Sequence, residues 1–509
     1  MIVVRTWSVA LTGLSGALIE VEADITSHRP DFRIIGMPDK ALGEAARRVM
    51  NASENTGLPL PDRRLTVNLS PAGLPKQGAG FDLAIALVAL ATDGRIDPDS
   101  LARTAHIGEL GLDGRVRSVP GVLPAVLAAV RAGRPRVVVP EANRAEAELV
   151  RGAEVLSVRT LAEAARLHGA EVDDAIIEGA GEEPAADETA SPEERADLAD
   201  VVGQPQAVEA LLVAAAGGHH VLMSGPPGAG KTMLARRLPG ILPELDDEEA
   251  LEVAAIRSLS GQRISSLSRT PPFEAPHHSA TLAALVGGGS RRAAPGAVAR
   301  ASRGVLFLDE VAETPRSVLD ALRQPIEHGV VDIHRSGFTA RFPARFQLVL
   351  AMNPCPCGEF GAAGGACTCS PTEVRRYQGR LSGPLLDRVD IDLRMERVVR
   401  LDDGWRAPSS AEARTRVEEA RDRAARRLAQ TPWRRNAEVS GRWLRDGPHA
   451  LEGAARGTLD AALERGLITL RAYDRITRVA WSIADLEGRD APNAVDIGRA
   501  LFLKKGVRA

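Results

Sequence analysis

The sequence predicts an α/β fold built on a parallel nucleotide-binding sheet, with an α+β domain before it and a helical segment after it. Three observations carry this expectation. Residues 225–232 read Gly-Pro-Pro-Gly-Ala-Gly-Lys-Thr, a full Walker A phosphate loop, directly after the apolar run Val221-Leu222-Met223 and before helix-forming residues. The apolar stretches 304–308 and 346–351 end in Asp309-Glu310 and shortly before Asn353, as strands do when their carboxyl ends meet a ligand. Beyond about residue 400 the apolar spacing is helical throughout, at 410–429, 451–465, 470–486 and 494–503.

From the amino end, strand-like segments at 2–4, 17–23, 33–35, 65–69 and 137–139 alternate with helix-like ones at 40–56, 82–91 and 122–132. Residues 178–196 then hold seven acidic side chains against one arginine and no large apolar residue, a composition that cannot fold alone. The expected division is a domain at 1–177, a linker at 178–196, a nucleotide-binding core at 197–400 and a helical lid at 401–509.

A chain of 509 residues is too long for one core, and its 44% apolar, 26% charged composition is ordinary for a soluble protein. It shows neither a long uncharged apolar run nor the basic-then-apolar start of a secretion signal, so the expected compartment is the cytoplasm. A net charge of −3 gives no global pull on nucleic acid, and contacts with DNA would have to come from local arginines.

At the loop, Gly225, Gly228 and Gly230 let backbone N–H groups approach phosphate oxygens, with Pro226, Pro227 and Ala229 completing the turn. Only five of the 64 basic residues are lysines, and Lys231 is one of them. A compact ammonium reaches between phosphates where a planar guanidinium fits poorly. Thr232 and Asp309 are suited to Mg²⁺, and Glu310 to orienting or deprotonating an attacking water. Asn353 either positions that water, touches the γ-phosphate or serves an Asn-Pro turn.

Together with Val202-Gly203-Gln204, Ala275-Pro276-His277-His278-Ser279, Val286-Gly287-Gly288-Gly289, Ala351-Met352-Asn353-Pro354-Cys355-Pro356-Cys357-Gly358 and Leu385-Leu386-Asp387-Arg388-Val389-Asp390, these motifs span the central region. In them the chain resembles AAA+ ATPases of the branch containing magnesium chelatases and minichromosome maintenance helicases, and most closely the ComM/YifB family. The resemblance implies an ATP- and Mg²⁺-dependent ring, a homo-hexamer, that works on DNA as a helicase or branch-migration factor in recombination of taken-up DNA. The alternative it leaves is a protein-remodelling ATPase serving a partner enzyme, as in magnesium chelatase. It also implies that Arg388 is an arginine finger acting on a neighbouring subunit; from the residues alone, an ion pair with Asp387 or Asp390 is equally open. Arg471 would be the lid's sensor 2, with Arg475 as the alternative.

Residues 330–335 and 338–342 alternate as two strands about Ser336-Gly337, and the resemblance makes this a hairpin whose His334 and Arg335 touch DNA. A basic turn can equally be a solvated one. His277 and His278 are weak evidence for a metal. Cys355, Cys357, Cys367 and Cys369 could close a structural Zn²⁺ site, remain reduced thiols or form a redox disulfide.

Residues 65–90 resemble the Lon-protease-like (ribosomal S5 domain 2-like) fold around its nucleophile. Gly80 stands near the expected serine and 119–125 contain no lysine, so the N-terminal domain is expected to be non-catalytic. Lys76 is expected to be an exposed lysine.

Overall fold

The computed structural model describes residues 3–27, 29–36, 44–76, 78–174, 196–289, 293–335, 338–362, 364–398 and 404–505. The linker expected at 178–196 falls outside these, apart from Ala196, as does the Ser336-Gly337 turn.

The strands of the amino-terminal half are β1 Val4–Thr12, β2 Ser15–Thr26, β3 Asp31–Ile35, β4 Arg64–Ser70, β5 Ala105–His106, a small ribbon of β6 Glu109–Leu110 with β7 Val116–Arg117, β8 Arg136–Pro140 and β9 Glu154–Val158. Seven of them form one mixed sheet in the order β3-β4-β2-β1-β5-β8-β9. Alternation decides which face is buried: Ile19, Val21 and Ala23 on β2 and Leu65, Val67 and Leu69 on β4 turn inward together. They cover the helix Asp82–Leu90, which is buried on every side, as an all-apolar helix requires. Near its start, Asp82 pairs with Arg48 at 2.7 Å, while Gly80 offers no side chain.

Lys76 departs from expectation. It is buried, and its ammonium donates to the backbone carbonyls of Gly36 and Pro71, which replace the water it gives up. Burial lowers its pKa.

The second half adds β10 Val221–Ser224, β11 Phe273–Glu274, a ribbon of β12 Gly287–Gly288 with β13 Ala294–Pro295, β14 Val305–Leu308, a hairpin of β15 Val330–Arg335 with β16 Phe338–Pro343, β17 Gln347–Met352 and β18 Ile391–Arg394. Five strands form an all-parallel sheet, ordered β11-β14-β17-β10-β18. Its central strands are apolar on both faces because helices cover both: Pro205–Gly217 and Lys231–Ile241 cluster with Val305, Phe307 and Val349, and Asp247–Leu259 and Ala297–Arg300 with Leu306, Leu348 and Leu350. The helices Ser410–Arg427, Gly453–Glu464, Leu470–Leu486 and Ala494–Lys505 pack on this layer through Val417, Leu459, Ile476 and Ile497.

The two halves share a core. Val9, Val122, Leu123 and Val126 of the first bury against Ala254 and Ala255 on the helix Asp247–Leu259 of the second. The N–H of Gly121 donates to the Ser258 carbonyl at 3.1 Å, and Gly13, at φ 65, lies so close to the Arg341 backbone that a β-carbon would collide with it. No helix among the described residues is long and apolar enough to cross a membrane.

Candidate nucleotide site

Strand direction places the chemistry. β10, β11, β14 and β17 all run the same way, so residues 225–232, 275–278, 309–310 and 353 emerge at one edge of the sheet. Gly228 and Gly230 take positive φ values of 80 and 89, and a β-carbon on Gly225 would strike the Met395 carbonyl. Only glycine fits there. Gly230 caps the helix Lys231–Ile241, whose first N–H groups therefore face the loop.

Lys231 is buried and donates to the carbonyls of Gly225 at 2.5 Å and Pro226 at 3.1 Å, and to Asn353 Oδ1 at 3.1 Å. Burial lowers its pKa against the pull of Asp309 and Glu310. Thr232 Oγ1 donates to Asp309 Oδ2 at 2.6 Å, which brings two hard oxygen donors together beside the loop, a set that fits Mg²⁺. Asn353 thus holds the lysine, whichever turn it also makes.

Glu310 has a left-handed backbone, φ 47, uncommon for a residue with a β-carbon. Its carboxylate meets His278 Nδ1 at 3.1 Å, while His277 bonds Ser279. Neither this contact nor two supports of the loop were readable from spacing. Gln204 donates to the carbonyls of Ala229 at 3.3 Å and Glu396 at 2.7 Å, and Arg397 Nε donates to the Pro227 carbonyl at 3.0 Å. The signal present in sequence was the motif around each histidine and glutamine, without its partner.

Arg388, Arg471 and Arg475 lie elsewhere. Val221 pairs with Ile391 and Ser224 with Arg394, so residues 387–390 precede β18 at the end of the sheet opposite the phosphate loop. Arg388 pairs with Glu327 and donates to the Pro384 carbonyl, bonding neither flanking acid. Even beside Glu327 its pKa is lowered, by burial and then by the positive charges of Arg323, Arg475 and Arg471. Asp387 takes Arg471 at 2.8 Å; Asp390 takes His219 at 3.1 Å and Arg475 at 3.7 Å. Burial alone would raise Asp390, but His219 and the neighbouring cations hold it well below the usual carboxylate range. A cleft of about 270 Å³ opens here, lined by Asp387, Arg471, Arg475 and Lys504.

In the β15–β16 hairpin Val331 and Ile333 pair with Phe342 and Ala340 and point inward, while His334 is exposed and bonds Thr339 at 3.0 Å. The Arg335 side chain lies outside the described residues. The four cysteines converge after β17, their sulfur atoms all within 4.8 Å of one another, and none is in a disulfide. Backbone N–H groups of Glu359 and Thr368 pull the Cys357 thiol down to about 6.

A five-stranded parallel sheet with a phosphate loop, two acids and an asparagine at one edge defines a P-loop nucleotide-binding protein of the AAA+ class. Family descriptions agree over most of the chain: magnesium chelatase, subunit ChlI, at residues 197–402, subunit ChlI of Mg-chelatase at 21–143 and the subunit ChlI C-terminal part at 407–504. An uncharacterized protein of Mycobacterium tuberculosis is 50% identical over 99% of both chains. The competence protein ComM of Haemophilus influenzae is 38% identical, covering 99% of this chain and 97% of its own length. An uncharacterized protein of Escherichia coli, YifB, is 39% identical over 94% and 93%. The chain belongs to the ComM/YifB family of magnesium-chelatase-like AAA+ proteins.

Proposed function

We propose that the protein is an ATP-hydrolysing motor that assembles into a homo-hexameric ring and acts on DNA, as a helicase or branch-migration factor in recombination of taken-up DNA. The observation that supports this most is the separation of two half-sites on one chain. The phosphate loop is at the carboxyl ends of the strands, whereas Arg388, Arg471 and Arg475 gather at the amino ends. Cations that cannot reach their own loop can complete a nucleotide site only across an interface, and a closed ring gives every loop such a partner.

In this reading the loop N–H groups and Lys231 bind the phosphates of ATP, and Thr232 and Asp309 hold Mg²⁺. The ion supplies charge neutralisation on phosphate oxygens. Glu310 orients the attacking water and accepts its proton at a carboxylate oxygen, and Asn353 fixes the Lys231 ammonium. Arg388 of a neighbouring copy, with Arg471 or Arg475 beside it, stabilises charge developing on the γ-phosphate. The β15–β16 hairpin offers His334 and Arg335 to DNA phosphates, and the amino-terminal domain, residues 1–177, is a non-catalytic module in a cytoplasmic protein. A whole-length relative being a competence protein favours DNA as the partner.

The test is the ATPase rate with and without single-stranded and branched DNA. Stimulation of about fivefold or more by either supports the reading. A rate indifferent to both redirects the assignment to a protein-remodelling ATPase like magnesium chelatase.

A further inference from the structure

Among the described residues, Cys355, Cys357, Cys367 and Cys369 are the only cluster of three or more side chains able to ligate a metal. Cys355 Sγ lies 3.3 Å from Cys357 Sγ and 3.8 Å from Cys367 Sγ, and the latter two are 3.6 Å apart. Zinc–sulfur bonds of about 2.3 Å in a tetrahedron require edges of about 3.8 Å. The described residues of 355–369 form no helix or strand, and glycine and alanine are common among them, so a cross-link through sulfur is what would give this stretch a fixed shape.

That shape bears on the phosphate loop. Gly358, at φ 83, packs so tightly that a β-carbon would sit 2.6 Å from Pro227 Cδ. Glu359 takes Arg397 with both carboxylate oxygens, at 2.6 and 3.1 Å, and the same arginine donates to the Pro227 carbonyl. Cys355 is two residues past Asn353, the partner of Lys231. The cysteine loop thus meets the second proline of Gly-Pro-Pro-Gly once directly, at Gly358, and once through Arg397, and it follows within two residues the asparagine that holds the lysine.

We infer that the four cysteines bind one zinc ion and that this ion fixes Gly358 and Glu359 against Pro227, so that metal occupancy sets the loop's affinity for nucleotide. Four soft thiolates select zinc over the hard magnesium ion at the neighbouring oxygens. Binding releases the thiol protons, and the sulfur atoms become the fixed points from which Glu359 reaches Arg397. The inference rests on the reading that residues 225–232 bind nucleotide.

The experiment uses full-length protein purified under reducing conditions without chelator. Metal analysis should find about one zinc per chain. Affinity for a fluorescent ATP analogue should fall about tenfold when zinc is stripped and return when zinc is restored. Because Cys367→Ser risks the local fold, Glu359→Gln supplies the second arm: it keeps all four thiols and should retain zinc while weakening the analogue about fivefold. Finding no zinc overturns the metal site. Equal affinity with and without zinc, or in Glu359→Gln, overturns the coupling. Lys231→Ala, measured alongside, reports on the loop itself; undiminished analogue binding there sinks the nucleotide reading and leaves the zinc count standing.

Discussion

His278 and Glu310 join the carboxyl ends of two neighbouring strands: the imidazole Nδ1 stands 3.1 Å from the carboxylate, and Glu310 holds a left-handed backbone to meet it. A side chain in that conformation costs on the order of 1 kcal/mol and persists where its surroundings enforce it. The histidine comes from the segment that runs on into the helix Leu282–Val286 and the β12–β13 ribbon. The acid that would act on water is therefore tied to a part of the chain remote from the phosphate loop in sequence.

His278→Ala is expected to lower kcat for ATP by about tenfold and leave KM unchanged, because it releases a positioned carboxylate without touching the phosphate cradle. His278→Asn, which keeps a donor near the same point, should recover much of the rate. Steady-state ATPase assays decide it, and an alanine variant with full kcat removes His278 from the mechanism.

Lys231→Ala and Glu310→Gln should fail differently. The first loses phosphate charge neutralisation, so nucleotide affinity falls by about a hundredfold; the second keeps binding and loses turnover by a similar factor. Equilibrium binding and single-turnover hydrolysis separate them. Equal loss of affinity in both variants contradicts the assigned roles.

Arg388→Ala should leave nucleotide binding to the chain's own loop intact while the ring's ATPase collapses. Mixing it with Lys231→Ala subunits, inactive by themselves, should restore some activity wherever an intact loop meets an intact arginine. If the arginine only holds Glu327, mixing restores nothing and the variant loses assembly or thermal stability.

A buried chain of polar groups makes the amino-terminal domain acid-sensitive. Thr6 bonds His106, His106 bonds His168 at 2.9 Å, and His168 bonds Ser100. Burial brings His168 down to about 4 and holds His106 well below the usual histidine range. The unfolded chain takes up protons below about pH 6.5 that the folded one refuses, so this stability is present above that pH and is lost as pH falls towards 4, by about 3 kcal/mol for His168. Hydrogen exchange in β5 and the helix Pro98–Ala102 should accelerate at pH 5 relative to pH 7, and His168→Gln should reduce that difference. An unchanged pH dependence in the variant counts against it.

Local patterns carried much of this structure. The alternation of Val331, Ile333, Ala340 and Phe342 foretold the hairpin and its register, and the apolar runs before Asp309 and Asn353 foretold strands of the parallel sheet. The short strands β5 and β9 were missed because pairing with β8, not propensity, makes them strands. Partners were harder still. Arg388 sits between two acids in sequence yet pairs with Glu327, and Lys76 is buried on carbonyls that no side-chain pattern announces. Arg471 and Arg475 could be recognised as alternatives from sequence, but their place opposite the loop follows only from the pairing of β10 with β18.

The seam where Val122 and Leu123 meet Ala254 and Ala255 changes what a cut in the chain would do. A polypeptide severed between residues 175 and 195 would become two chains and stay one particle, since the faces that meet are apolar on both sides. Expressing the second half alone would instead lay Ala254, Ala255 and Leu251 open to water on the helix Asp247–Leu259, a stripe prone to self-association. Any swing of the amino-terminal domain must carry that helix with it, so the domain works as an outrigger fastened to the motor and not as cargo on a tether.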